Sequence, residues 1–430
     1  MARIFRHSDP DFDAAYAGLL NARGARLDAA EAAVRPIVAE VRARGLDAVL
    51  EFTAKFDGVQ LDAAALRVSD AERKRARAAC SPGIIAALEK AAARIVDFHA
   101  RQKPEDARWV DAQGVTLGWR WTPVDSAGVY APGGLAAYPS SVLMNAIPAK
   151  AAGVARVVMA TPPGRLHENP AILAAADIAG IDEIWSIGGA QAIAAMAYGA
   201  GALAPCDVVV GPGNAYVAAA KKIVFGDVGV DAIAGPSEVF ILADKSAAPE
   251  WLAADLLAQA EHDPDAQSVL FVDDAAHGEA VIAAVEAQIA RGDAGPSARA
   301  SWDRHGAVIV VDKLADACRL IDRAAPEHVQ IAAAEAETLA LRIKHAGALF
   351  LGVYTPEALG DYVAGPSHVL PTSRAARYAS GVNVLTFMKR TTIIGASAAG
   401  VKAIGGEAAI LADAEGLPAH ARSVRARLTP

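Results

Sequence analysis

The chain has 430 residues, 53% of them hydrophobic and 21% charged, enough for two or three domains with sizeable cores. A formal net charge of -8 argues against a nucleic-acid partner or an anionic membrane surface, because phosphate is held by clustered lysine and arginine. Cys80, Cys206 and Cys318 are far apart and form no CxxC, so neither a disulfide frame nor a thiolate metal site is expected, and a reducing cytoplasm fits.

The opening MARIFRHSDPDFDAAY turns acidic before any apolar run develops, unlike an ordinary signal peptide. Residues 1–26 read as an N-terminal arm. From 27 to 100, stretches such as EAAVRPIVAEVRARG and GIIAALEKAAARIVDFHARQ place apolar residues three and four apart, as helices do. The basic cluster at 73–77 falls within them and reads as a solvated helix face. After the β-type VTLGWRWTPVD, the runs RVVMAT, EIWSI, DVVVG, EVFILAD, SVLFVDD, GAVIVV and ALFLG alternate with amphipathic or alanine-rich helices. That alternation means parallel sheets. The charge-free run at 186–205 is long enough to raise a membrane span, but it is mostly Ala and Gly and carries Gln191, so a buried helix explains it better.

The pattern predicts an α/β fold of two parallel-sheet, Rossmann-like lobes. Residues 27–127 plus 238–380 are assigned to the first, residues 128–237 to an inserted second, and residues 381–430 to a C-terminal tail. The insertion follows from the helices of 27–100, which need a sheet to cover; the nearest uncommitted one lies after residue 237.

Open parallel sheets bind ligands at the carboxyl ends of their strands. VYAPGG, SIGGAQA and VVGPGNAY each put a glycine turn there, where backbone can approach a phosphate. None fits GxGxxG with a later acid, so they read equally as plain strand-to-helix turns. In LLAQAEHD, Gln259 and His262 stand three apart, on one helix face, and could reach one cation. Taken alone, the stretch reads more readily as a helix end closed by Asp263-Pro264, where a histidine meets the negative end of the dipole. Of ten histidines, His7, His99, His167, His277, His305 and His345 sit in polar surroundings and read as surface groups. His262, His328, His368 and His420 each have a carboxylate nearby: Glu261, Glu327, Asp361 and Glu415. Nitrogen and oxygen ligands of this kind suit zinc. Glu327-His328 is the sharpest pair, able to supply one base for water and one for an alcohol. On a strand the two would point to opposite faces; in a loop they need not.

Eight ordered blocks carry a resemblance: GVYAPGGLAAYPSSVLMNAIPAKAAGV, GGAQAIAAMAYG, VGPGNAYVAAAK, AGPSEVFILAD, DLLAQAEHD, APEHVQI, LGDYVAGPSHVLPT and EGLPAH. In that order, over nearly the whole chain, they resemble histidinol dehydrogenase. The resemblance implies a cytoplasmic homodimer with shared active sites, one zinc ion per subunit and NAD as oxidant. It would oxidise L-histidinol through the aldehyde to L-histidine, the end of histidine biosynthesis. It further implies that Gln259, His262, Asp361 and His420 ligate zinc and also face substrate, and that Glu327 and His328 do the acid–base work. Ser237, His368 and Glu415, with His328, would line the substrate site, and Tyr130, Gln191 and Asn214 would contact NAD. One departure is Ser367, where the family commonly has Asn. A paralogue acting on another small alcohol, such as a sulfonated diol, would keep zinc, NAD and the Glu-His pair; the retained Glu415 and His420 favour histidinol. A zinc hydrolase would not need three glycine turns and would more often carry HExxH; a non-catalytic binding protein would reduce no NAD.

Overall fold

The structure is a computed structural model that describes residues 3–21, 26–133, 138–164 and 169–428. Strand β1 (Arg3–Arg6) and helix α1 (Phe12–Asn21) open the chain, followed by α2 (Arg26–Arg44), α3 (Leu46–Asp57), α4 (Asp70–Ala79) and α5 (Pro82–Ala100). Local signals set the ends of the last two. Ser69 and Glu72 form a capping box at α4, and Ser81 caps α5 with Pro82 in its first turn.

Strands β2 (Ala107–Val110) and β3 (Val115–Pro123) make a hairpin whose turn is held by the Asp111 carboxylate, which accepts from the Gln113 and Val115 amides at 3.0 and 2.9 Å. Five strands then form one parallel sheet: β4 (Ser126–Tyr130), β5 (Arg156–Thr161), β6 (Glu183–Ser186), β7 (Val208–Val210) and β8 (Gly229–Val230). Their spatial order is β6-β5-β4-β7-β8. Helices α6 (Pro139–Ala152), α7 (Pro170–Ile178), α8 (Gly189–Tyr198) and α9 (Ala215–Val224) connect them. Every residue of β4 and β7 is buried, as a sheet covered on both faces requires.

The second parallel sheet has six strands in the order β1-β11-β10-β9-β12-β13. It uses β9 (Glu238–Ala243), β10 (Gln267–Val272), β11 (Ala307–Val310), β12 (His328–Ala332) and β13 (Ala348–Leu351). Its helices are α10 (Pro249–Ala260), α11 (Ala275–Arg291), α12 (Ala298–His305), α13 (Leu314–Ala324), α14 (Ala336–Ala340) and the short α15 (Glu357–Tyr362). The chain ends with β14 (Met388–Ala396), α16 (Ala398–Ala414) and α17 (Pro418–Arg425).

Two parallel α/β sheets are present as expected, but the outlying segments pack differently. The expected arm is part of the second sheet: β1 pairs with β11 from Arg3↔Ala307 to Arg6↔Val310, and Phe12, Tyr16 and Leu19 of α1 enter the core beneath it. The helices of 27–100 do not cover that sheet. Leu88, Ala91, Ala92 and Ile95 of α5 join the core on one face of the first sheet, and Val34, Val38 and Val41 of α2 join the core on its other face. The second sheet has its own cover in α10 to α13, so no apolar face was left for them. The tail is tied to the hairpin, with β14 antiparallel to β3 from Met388↔Pro123 to Ala396↔Val115.

Smaller expectations also changed. His99 is wholly buried, its Nδ1 2.8 Å from the Ile95 carbonyl one helical turn back, and burial holds its pKa below the usual value. His7, His277, His305 and His345 are half-buried, and His167 lies outside the described residues. On α4, Arg73 donates to the Ile181 carbonyl and Arg77 pairs with Asp177 and Glu89, so part of that basic face fastens the helix to α7.

Candidate active site

One loop, residues 231–237, joins β8 to β9, so the carboxyl end of the first sheet meets the amino end of the second. The Glu-His pair sits at that amino end rather than at a carboxyl end. Ala325, which ends α13, holds a left-handed backbone (φ 47°) unusual for a residue with a side chain. This tight reversal, followed by Pro326, sets Glu327 just before β12 and His328 at its first position.

Both side chains are anchored by one residue, Glu238, the first of β9. Its backbone N–H donates to Glu327 Oε2 at 3.0 Å, and its carbonyl lies 2.9 Å from His328 Nδ1. A carbonyl can only accept, so Nδ1 keeps its proton and Nε2 is the nitrogen that gains or loses one. Nε2 faces Glu357 Oε1 at 3.4 Å, and Glu327 Oε2 lies 3.6 Å from Nδ1. Burial pushes Glu327 up to about 7, against the pull of His328. Burial pulls His328 down, but Glu327, Glu357 and Asp361 together outweigh it and raise the imidazole to about 9. Burial likewise lifts Glu357.

A second group meets this pair from α10 and α15. Gln259, fully buried in the last turn of α10, has its Nε2 3.2 Å from His262 Nδ1, and His262 Nε2 lies 3.9 Å from Asp361 Oδ2. His368 has its Nδ1 2.8 Å from the Asp361 carbonyl and its Nε2 3.0 Å from Ser141 Oγ. Burial lowers its pKa, so it is a neutral imidazole with Nδ1–H donating and Nε2 accepting. Ser237 precedes Glu238, and its carbonyl accepts from the Gln267 amide at 3.0 Å. Ser367 is buried, with its hydroxyl donating to the Met144 carbonyl at 3.0 Å, which fastens the His368 loop to α6.

These residues can accommodate a zinc ion. Gln259 Oε1 is buried without a hydrogen-bond partner, a state that costs about 1–3 kcal/mol. A cation among Gln259, His262 and Asp361 would satisfy it, and the nitrogen-and-oxygen donor set suits zinc. Ligand atoms of His328, Glu357 and Asp361 also lie within 4.8 Å of one another. The first group is the better cradle, because it leaves His328 Nε2 for proton transfer. Among the described residues nothing joins Glu415 or His420 to this cluster: both are exposed, at the end of α16 and on α17.

Sequence reasoning missed Glu357 and Glu238. Glu357 had a signal, since it stands four residues before Asp361 and therefore on the same helix face. Its amide donates to Gln330 Oε1 at 3.2 Å, and the Gln330 amide nitrogen donates to Asp255 at 2.6 Å, so a buried chain from α10 through β12 fixes the start of α15. Glu238 acts through its backbone, which side-chain chemistry cannot announce.

The glycine turns gather at the carboxyl end of the first sheet. The Tyr130 phenol accepts from the Gly189 amide at 2.9 Å, and burial pushes its pKa up to about 12. Gln191 is buried, and its amide nitrogen donates to Asp57 Oδ2 at 3.3 Å. The Asn214 side chain caps α9, accepting from the Tyr216 and Val217 amides, each at 3.1 Å. At Gly211 (φ +122°) a Cβ would lie 2.3 Å from the Tyr130 carbonyl oxygen, so glycine is required for β7 to turn against β4. Gly134, which completes VYAPGG, lies outside the described residues.

Residues 20–428 match the family model described as histidinol dehydrogenase. A histidinol dehydrogenase of Rhodospirillum rubrum is 54% identical over 424 residues, covering 98% of this chain and 97% of the relative. One of Caulobacter vibrioides is 51% identical over 426 residues, 99% of each chain. Among solved structures, the crystal structure of histidinol dehydrogenase from Elizabethkingia anophelis superposes with a TM-score of 0.91 at 34% identity, covering 99% of this chain and 98% of that one.

Proposed function

Because this chain belongs to the histidinol dehydrogenase family, we propose that it oxidises L-histidinol through L-histidinaldehyde to L-histidine in the cytoplasm, reducing two NAD. The single observation that carries this reading is the buried Glu327–His328 pair, held on the backbone of Glu238 and facing Gln259, His262, Asp361 and His368.

In this reading His328, its Nδ1 occupied by the Glu238 carbonyl, accepts the alcohol proton at Nε2 in its neutral form, so the first oxidation gains as pH rises toward the imidazole's raised pKa of about 9. Glu327 takes a proton from the water that adds to the aldehyde, and its raised pKa makes it a stronger base than an exposed glutamate. Ser237 and His368 border the same space and orient the substrate. Gln259, His262 and Asp361 would hold the zinc, with His420 completing the set from a second copy of the chain. When bound, zinc supplies the grip on the substrate's amine and imidazole that retains the aldehyde between the two oxidations. Tyr130, Gln191 and Asn214 would border the NAD, which accepts the hydride. The reading of a homodimer is supported by the exposed apolar residues of the tail, Ile394 (73% exposed), Ile410 (66%) and Leu411 (64%), which leave β14 and α16 in need of cover. Among the described residues no helix is long and apolar enough to cross a membrane.

The test is to supply zinc, NAD and L-histidinol to the purified protein and follow NADH. About two NADH per histidinol, with histidine as product, is expected from the two oxidations. NADH from a sulfonated diol but not from histidinol would replace the substrate, and none from either would overturn the reading.

A further inference from the structure

Asp57 is a carboxylate in an unfavourable place. It is the last residue of α3, followed by the left-handed Gly58 (φ 68°), and so lies at the negative end of that helix. It is half-buried, and burial raises its pKa. No Lys, Arg or His pairs with it among the described residues. The Gln191 amide nitrogen donates to its Oδ2 at 3.3 Å. It also presses on the turn between β6 and α8: a Cβ added to Gly188 would lie 2.8 Å from Asp57 Oδ1. A negative charge held against a helix dipole, partly desolvated and beside a glycine turn, is poised to gain from a ligand that brings donors to it.

Topology says what meets it. The catalytic cluster is reached through the loop after β8, one edge of the first sheet, whereas Asp57 sits over the turn after β6, the opposite edge. Four strand spacings separate the two edges, about 19 Å at ~4.8 Å each. A dinucleotide crossing the carboxyl ends of these strands with its nicotinamide at His328 would bring its adenosine half to β6. A ribose presents two adjacent hydroxyl donors, which a carboxylate accepts together; a 2′-phosphate would bring like charges together.

Resting on the NAD reading above, we propose that Asp57 binds the adenosine ribose diol and thereby selects NAD over NADP. Gln191 holds the carboxylate in place from behind, and Gly188 leaves it room.

The experiment measures equilibrium binding of NAD and of NADP by titration calorimetry to the full-length protein and to Asp57→Asn, Asp57→Ala and Asp57→Glu, each first shown to melt cooperatively. Asp57→Asn keeps an oxygen for Gln191 and removes only the charge. The expected result is a clear NAD preference in the unaltered protein, with the NAD-to-NADP affinity ratio falling at least about tenfold, the scale of one charge-assisted hydrogen bond, in the Asn and Ala variants. Asp57→Glu should retain the larger part of the preference. An unchanged ratio in Asp57→Asn, equal weakening of both dinucleotides, or no NAD preference to begin with would overturn the proposal while leaving NAD as the oxidant. If the unaltered protein binds neither dinucleotide, the NAD reading itself fails and takes this inference with it.

Discussion

The carboxyl end of the first sheet and the amino end of the second face one space, but they are built from different materials. The first is made of turns: Gly188, Gly189, Gly211 and Gly213 bring backbone close together, and Tyr130, Gln191 and Asn214 are spent on fixing those turns. The second is made of buried ionisable side chains, Glu327, His328, Glu357 and Asp361, fixed by Glu238 and Gln330. Backbone donors change little with pH and release a ligand readily. Burial moves the Glu327 and Glu357 carboxyls up toward neutrality, which is what proton transfer needs. Within the proposed reaction the difference has a use, because the dinucleotide must leave and be replaced midway while the substrate and its bases stay.

The two ends should therefore fail independently. Stripping metal from the protein should abolish turnover while leaving NAD affinity and the melting temperature almost unchanged, since Gln259, His262 and Asp361 border two large cores that stand without them. Chelated protein that melts far lower, or no longer binds NAD, would merge the two ends. Next in size is recovery in mixed dimers. Gln259→Ala and His420→Ala chains, each inactive alone, should regain part of the activity when combined, because one site per heterodimer would be intact. Mixed dimers as inactive as either parent would place His420 on its own subunit's site.

Gly211→Ala should break the other end. Its Cβ would meet the Tyr130 carbonyl oxygen at 2.3 Å on a left-handed backbone, a strain of about 1–3 kcal/mol. NAD affinity should fall while zinc content stays at one per subunit; retained NAD affinity would contradict the assignment of these turns. The smallest effect is on stability against pH. Glu327 is raised from 4.5 to about 7 and His328 from 6.5 to about 9. Both shifts are upward, so the stability they contribute is complete below the unfolded values and is lost as pH rises through about 7 and about 9. The metal-free protein should melt a few degrees lower at about pH 9 than at about pH 6, and a higher melting temperature at alkaline pH would show that these groups are not buried as described.

Much of this arrangement was legible from residues alone. β-branched runs alternating with helices announced parallel sheets, and Glu327-His328 stood out as adjacent bases. The packing of α2 and α5 was not legible, because an amphipathic helix states that it needs a sheet but not which one. RIFR is too short and too mixed to announce an edge strand, yet pairing with β11 holds it. Asn214 read as a cofactor contact, and its side chain also serves as a helix cap, a role its type equally permits. The spacing of Gln259 and His262 allowed a metal or a helix end; the structure makes them a helix end that also faces Asp361.

The central claim is that Glu327 and His328 divide the labour, with His328 serving the alcohol and Glu327 serving the water. Glu327→Gln keeps the shape and can still accept the Glu238 amide, but it cannot act as a base. Single-turnover reactions would start from histidinol and, separately, from histidinaldehyde, with NAD in excess. The account predicts about one NADH per site from histidinol before the reaction stalls, and almost none from the aldehyde, with steady-state turnover down on the order of a hundred- to ten-thousand-fold. Equal loss from both starting points would contradict it, and would make Glu327 an orienting group for His328 in both steps.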